Sequence, residues 1–197
     1  MEKDIFEKYK TFVMIGKPGS GKGVQTKLLA EKSGFKTFST GDKFRELQKA
    51  DTPLGHKIAE IMDKGSLMPY WFAAFLFQDA VIYLEAEEGI IYEGAARKAP
   101  EAELFHDVMT WLGRPYKAIY LDVHDDEVKS RLIKRAGVEN RADDNEETIK
   151  HRIKVYHEEV VPAVHVFKKH GTILDVNGDQ SIEKVHEEIL RMIAESE

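Results

Sequence analysis

The chain has 197 residues and no cysteine, which excludes disulfides, thiolate metal sites and cysteine nucleophiles. It also lacks an excess of positive charge. Its 29 basic residues against 35 acidic ones give a formal charge of −6, which disfavours broad attraction to nucleic acid or to an anionic membrane surface. Any anion it binds must therefore be gripped by a few arranged groups. Long hydrophobic runs are missing as well: the longest nearly apolar stretch, around 68–77, is far short of the roughly 20 residues a spanning helix needs. The opening MEKDIFEKYK mixes acids with bases and has no hydrophobic signal core, so no secretory segment and a cytoplasmic location are expected. No repeat, low-complexity tract or Pro/Gly/Ser-rich linker divides the chain. His56, His106, His124, His151, His157, His165, His170 and His186 form no HExxH pair and no zinc-like spacing, and read as surface or packing residues. What is present is a composition of 42% hydrophobic and 32% charged residues, that of a globular protein with a real core, and a length suited to one domain spanning 1–197.

Five short β-rich runs, at 11–15, 36–39, 89–93, 118–123 and 172–176, alternate with longer helical patterns. The helical patterns begin near Gly21, Gly41, Pro53, Pro69, Pro100, Asp125, Asp143 and Ser181. Strand and helix in alternation predict an α/β fold of three layers, a five-stranded parallel sheet with helices on both faces and right-handed crossovers. Asp143 and Glu146 have the spacing of a capping box, and Pro162 predicts a kink or two consecutive helices further along. The last helix, about 181–195, places Ile182, Val185, Ile189 and Ile193 near one face. The run Tyr70-Trp71-Phe72 with Phe75 and Phe77 is too crowded for one helix face; core packing is expected, with any exposed part free to form a partner surface.

Directly after the first strand comes Gly16-Lys17-Pro18-Gly19-Ser20-Gly21-Lys22-Gly23, a Gly-x4-Gly-Lys pattern that opens the first long helix. Glycines at this spacing let consecutive backbone N–H groups face one anion, the helix N-terminus adds its positive end, and Lys22 supplies a mobile charge for outer phosphates. All three contributions favour a polyphosphate. Gly23 stands where Ser or Thr usually contacts Mg2+, and Val24 follows it.

The wider loop GKPGSGKGVQ resembles GxPGxGKGTQ of the nucleoside monophosphate kinases of the adenylate kinase family, which accepts Gly at position 23. Val24 replaces the usual threonine. Further segments are similar to the same family: Ser39-Thr40-Gly41-Asp42-Lys43-Phe44-Arg45 to STGDxxR, and Lys64-Gly65-Ser66-Leu67-Met68-Pro69 to KGxLVP. Glu93-Gly94-Ala95-Ala96-Arg97 stands where the family has DGFPR, and Glu101 replaces a base-reading glutamine. Arg131 and Arg135 share a helix face, and Arg141-Ala142-Asp143-Asp144 with Arg152 is similar to RxDD…R. Only 136–140 separate Arg135 from Arg141, as in the short-lid members.

The resemblance implies a P-loop nucleoside triphosphate hydrolase-like fold with a monophosphate-binding segment at about 40–69 and a short lid at about 135–143. It implies that Gly16, Pro18, Gly19, Ser20, Gly21, Lys22, Gly23, Val24 and Arg131 bind ATP, and that Thr40, Arg45, Met68, Gly94, Arg97 and Glu101 bind the monophosphate. Lys22, Arg131, Arg135, Arg141 and Arg152 would be catalytic, surrounding the transferring group, and Glu93 would hold Mg2+ through water. A physical reading agrees for Arg45 and Arg97, since a planar guanidinium grips phosphate oxygens bidentately. A Glu101 carboxylate offers only acceptors, which suits guanine's two donors better than adenine's edge, or else it faces solvent on its helix.

The expected reaction is transfer of the γ-phosphoryl of Mg·ATP to a nucleoside monophosphate, AMP by default, by a monomer with no nucleic-acid or membrane partner. Two other classes compete. The joint departures at Val24, Glu93, Ala95, Ala96 and Glu101 suggest a catalytically impaired regulatory nucleotide binder. A P-loop hydrolase with water as acceptor leaves Arg45 and Arg97 unexplained.

Overall fold

A strand covered on both faces must be apolar in succession rather than in alternation. The first strand, β1 (Thr11–Gly16), reads TFVMIG and its first five residues are buried. The computed structural model, which describes residues 5–139 and 145–196, places β1 at the centre of a five-stranded parallel sheet. It lies between β3 (Ile90–Glu93) and β4 (Tyr116–Asp122), with Val13 opposite both Tyr92 and Ala118. The edges are β2 (Lys36–Ser39) beside β3 and β5 (Ile173–Asn177) beside β4, giving the order β2-β3-β1-β4-β5. The strand boundaries fall within two residues of those expected, the usual latitude for ends.

The helices are α1 (Lys22–Ser33), α2 (Thr40–Leu47), α3 (Pro53–Asp63), α4 (Tyr70–Ile82), α5 (Ala99–Trp111), α6 (Asp125–Glu139), α7 (Glu146–Val155), α8 (Val161–Lys169) and α9 (Ile182–Glu195). The two-residue side-chain period of β1 sorts them into layers. Phe12 and Met14 pack with Leu29 of α1 and with Val185, Ile189 and Ile193 of α9. Val13 and Ile15 pack on the opposite face with Phe77 of α4, Phe105 of α5 and Phe167 of α8. Two smaller clusters lie beside the sheet: Phe44, Ile58, Met68, Ala73 and Leu76 join α2, α3 and α4, and Val128, Leu132, Ile149 and Ile153 join α6 to α7. Among the described residues no helix is long and apolar enough to cross a membrane.

Several local expectations are corrected. The cap of α7 is Asn145, whose side chain accepts from the Thr148 N–H at 2.9 Å; Asp143 lies outside the described residues. Glu146 is then the first helical residue, too early to close a capping box. The expectation at Pro162 holds, since two consecutive helices, α7 and α8, lie there with Pro162 in the first turn of α8. The disturbance it causes is a π-helical turn, Tyr156–Val160, inserted between α7 and α8. The crowded aromatic run divides by helical period: Ala73, Ala74, Leu76 and Phe77 are buried, whereas Tyr70, Trp71 and Phe75 are exposed. Ile182, the first residue of α9, is exposed as well and lines a cleft.

The thickest part of the core is a ring cluster around Phe105, which meets Phe77, Tyr92, Tyr116 and Phe167 at centroid separations of 5.3, 5.6, 5.1 and 6.3 Å. Replacing Phe105 with Ala should cost about 3–5 kcal/mol in urea unfolding, from lost transfer energy plus an unfilled cavity. A loss below about 1 kcal/mol would show that these rings do not share one core.

Candidate active site

In an open parallel sheet the ligand crevice lies beyond the carboxyl ends of the strands, where neighbouring connections diverge. Here β1 delivers its end to the loop 16–23. The turn is possible only because two of its residues have no side chain. A Cβ on Gly16 would lie 2.7 Å from the Leu121 carbonyl oxygen, and one on Gly19 (φ 78°) would lie 2.8 Å from Leu132 Cγ. The loop therefore wraps tightly against β4 and α6. Gly21, also left-handed, immediately precedes α1, so the helix N-terminus faces the loop's concave side. Gln25 Nε2 donates to the Ile182 carbonyl at 2.8 Å and fastens α1 to the start of α9.

Lys22, the first residue of α1, is buried. Its ammonium donates to the carbonyls of Lys17 at 2.6 Å and Gly16 at 2.9 Å, and to Ser20 Oγ at 3.3 Å. Its pKa is lowered to about 7, chiefly by burial, with Arg97, Arg152 and Arg135 adding to the fall and Glu93 opposing it. The same interactions show what converges here: one lysine and three guanidiniums from separate parts of the fold, with the Glu93 carboxylate among them.

The loop forms one wall of a cleft of about 880 Å3. Gly16, Pro18, Gly19, Ser20, Gly21, Lys22, Gly23 and Val24 all line it. Arg131 lines it from α6, with Nε donating to Glu127 at 2.7 Å and Nη2 to the Gly178 carbonyl at 3.0 Å. Arg135, one turn further along α6, and Arg152 of α7 line the same space. Arg141 lies outside the described residues, and of the segment expected as a lid, the part through Glu139 continues α6.

Thr40, Arg45, Met68, Gly94, Arg97 and Glu101 line the cleft too. Ser39 caps α2 through the Asp42 N–H, which starts the helix that carries Arg45, and Arg45 Nη2 pairs with Asp42 Oδ1 at 2.5 Å. The Thr40 hydroxyl oxygen is buried with no hydrogen-bond partner among the described residues. Gly65 turns at φ 69° so close to Arg152 that a Cβ there would sit 2.7 Å from Arg152 Cγ, and Ser66 Oγ lies 3.1 Å from His151 Nε2. The turn after α3 thus rests on α7.

The 93–97 segment is built differently from the DGFPR pattern. Ala96 has φ 53°, an angle a proline ring cannot adopt. Strain of this kind is held in place by surrounding structure, and both Ala95 and Ala96 are buried. Of the two readings of Glu101, the solvent-facing one is excluded. The residue is buried, and its Oε2 accepts from the Arg97 N–H at 2.8 Å. As the third residue of α5 it caps its own helix start, which commits one of its two oxygens. Burial raises its pKa, against the pull of the Arg97 and Lys98 N–H groups.

Glu93, at the end of β3, points at the start of α1: a Cβ on Gly23 would lie 3.5 Å from Glu93 Oε2. The hydroxyl absent from position 23 is thus faced by a carboxylate, a hard oxygen donor suited to Mg2+. Among the described residues no group of three or more His, Asp or Glu side chains could hold a metal unaided. A cation here would draw further ligands from phosphates and water. Sequence reasoning missed Tyr156 as a cleft residue, and it missed the inward burial of Lys17. A lysine between a glycine and a proline, with an Asp heading a later helix, carries no local signal of their meeting.

In the free protein the Lys22 ammonium titrates near 7, whereas bound phosphates favour its charged form. ATP binding above that pH must therefore take up a proton, and affinity should fall as pH rises from about 7 to 9, by at most ~10-fold per unit. Calorimetry in two buffers of different ionisation enthalpy should show uptake approaching one proton at the upper end. A pH-independent affinity with no uptake would show that Lys22 does not titrate in this range.

A family model for adenylate kinase matches residues 14–172. The adenylate kinase of Micrococcus luteus is 34% identical over 182 residues, covering 92% of this chain and 89% of that protein. The adenylate kinase of Thermobifida fusca is 37% identical over 174 residues, covering 88% and 92%, and human adenylate kinase isoenzyme 1 is 32% identical over 190 residues, covering 96% of each. With a phosphate loop, a guanidinium-lined second wall and similarity over most of its length, the chain belongs to the adenylate kinase family of phosphotransferases acting on nucleoside monophosphates.

Proposed function

We propose that this chain transfers the γ-phosphoryl of ATP reversibly to a nucleoside monophosphate, with AMP as the default acceptor. The observation that carries the reading is the convergence of Arg97, Arg135 and Arg152 on Lys22 in one cleft. Phosphoryl transfer asks a protein mainly for alignment and charge neutralisation, because the substrates supply the reacting oxygens. An oxygen of the monophosphate attacks the γ-phosphorus, the bond to the β-γ bridging oxygen breaks, and two diphosphates result. No side-chain nucleophile is required.

In this reading Lys22 and the loop N–H groups hold the donor phosphates, and Arg45 and Arg97 orient the acceptor phosphate. Arg131, Arg135 and Arg152, with Arg141 from the lid, surround the transferring group, where charge spreads over three oxygens. Arg131 also covers the donor base. The unpartnered Thr40 hydroxyl and the buried Met68 belong to the acceptor's base pocket. Glu93 would hold Mg2+ through water when it arrives with ATP, and the ion would supply neutralisation of phosphate charge. The segments 40–69 and 135–143 close over both nucleotides to keep water from the γ-phosphoryl. An impaired regulatory relative has nothing in the cleft to favour it, since binding alone has no use for so many cations around the transfer point.

Lys22→Ala and Arg97→Ala should each lower turnover with ATP and AMP by about 10²–10³-fold, the scale set by removing one preorganised charge donor. Near wild-type turnover in both would refute the assignment. Since Glu101 has one oxygen committed to its helix, only the other is left to meet a base. Glu101→Gln should then shift the ratio of kcat/KM for AMP against GMP by roughly tenfold, the scale of one lost or gained hydrogen bond. An unchanged ratio across AMP, CMP, UMP and GMP would remove Glu101 from base reading.

A further inference from the structure

Lys17 belongs to the phosphate loop, yet its side chain turns away from the cleft. Its ammonium is buried, with only 7% of the residue exposed. It donates to the Val123 carbonyl at 2.5 Å, pairs with Asp125 Oδ1 at 3.0 Å, and lies 5.4 Å from the centre of the Tyr156 ring. Those three partners are the residue that follows β4, the first residue of α6 and the first residue of the π-helical turn. Two of these elements lead directly to the arginines of the cleft: α6 carries Arg131 and Arg135, and the turn follows α7, which carries Arg152. The junction is braced further. Asp125 Oδ2 lies 3.2 Å from His157 Nε2, and the Tyr156 hydroxyl lies 2.7 Å from that of Tyr120.

The main chain of Lys17 faces the other way. Its carbonyl accepts from Lys22 Nζ at 2.6 Å, the shortest of the three bonds holding that ammonium, and from the Ser20 N–H at 3.1 Å. One residue thus links the junction of β4, α6 and the π-helical turn to the phosphate-facing lysine. A buried ammonium is a poor device for stability alone, because desolvation offsets most of what its ion pair contributes and an apolar side chain of similar length packs as well. What the ion pair to Asp125, together with the hydrogen bond to the Val123 carbonyl, supplies is register.

Resting on the function proposed above, we infer that Lys17 is a positioning residue for phosphoryl transfer: anchored on Asp125, Val123 and Tyr156, it holds the carbonyl that aims Lys22 and keeps the loop in register with the arginine-bearing helices. The competing explanation is that Lys17 merely adds positive charge near the phosphates. The two differ in sign at Asp125. Asp125→Asn removes a negative charge, so charge alone requires tighter ATP binding, whereas loss of the anchor requires weaker binding.

The test is calorimetric titration of the full chain with ATP in the absence of monophosphate, together with kcat, both KM values and melting temperature. The variants are Lys17→Met, Lys17→Arg, Asp125→Asn and the Lys17→Met/Asp125→Asn pair. Lys17→Met should weaken ATP binding about tenfold and lower kcat, with the monophosphate KM within about twofold of wild type, as expected for one charge-assisted contact. Asp125→Asn should weaken ATP binding in the same direction, the pair should be no worse than Lys17→Met alone, and Lys17→Arg should restore most of the affinity. Unchanged or tighter ATP binding by Asp125→Asn, or additive losses in the pair, would overturn the inference, as would a lowered melting temperature with unaltered ATP binding in Lys17→Met. ATP binding by the wild type without turnover, with the variants ranked as expected, would instead sink the reaction and leave the anchor standing.

Discussion

Cations do not gather unless something holds them, and in this protein the holding is done by backbone oxygens around a single ammonium. Lys22 sits among the carbonyls of its own loop, in a chain whose formal charge is −6. Around that point stand guanidiniums from the turn after β3, from α6 and from α7. Glu93 offsets part of their mutual repulsion, and each comes from a separate part of the fold. The rest of the fold can be understood as the means of fixing them.

The sheet supplies the platform. Parallel strands bring β1, β3 and β4 to a common end, so the phosphate loop, the Glu93 carboxylate and the Lys17 junction meet at one rim. The two small clusters beside the sheet then act at a distance. One holds α2, α3 and α4 together and carries Thr40, Arg45 and Met68; the other holds α6 against α7 and carries Arg131, Arg135 and Arg152. The contact of Gly65 and Ser66 with Arg152 and His151 joins these two groups across the cleft.

Departures from the family pattern have local physical consequences. Ala96 adopts a positive φ that forbids the usual proline, so the change at that position and the shape of the turn belong together. Glu101, buried as a helix cap, uses one oxygen on its own backbone. That bond explains how a carboxylate is tolerated in so enclosed a place. The π-helical turn before Pro162 opens with Tyr156, which lines the cleft and whose ring lies beside the Lys17 ammonium.

The alternation of β-rich runs and helical patterns was enough to determine the sheet and its layers, because side-chain period and chain order are local properties. The phosphate loop and the arginines at family spacing were legible for the same reason: their chemistry is written in contiguous residues. Tertiary structure alone decided that Asn145 rather than Asp143 caps α7, that Trp71 and Phe75 face outward, and that Glu101 turns inward. It alone decided that Lys17, more than a hundred residues before Asp125 in the chain, would find it. These outcomes depend on which surfaces other elements leave uncovered, and such competition between distant segments leaves no periodicity in the sequence for a reader to follow.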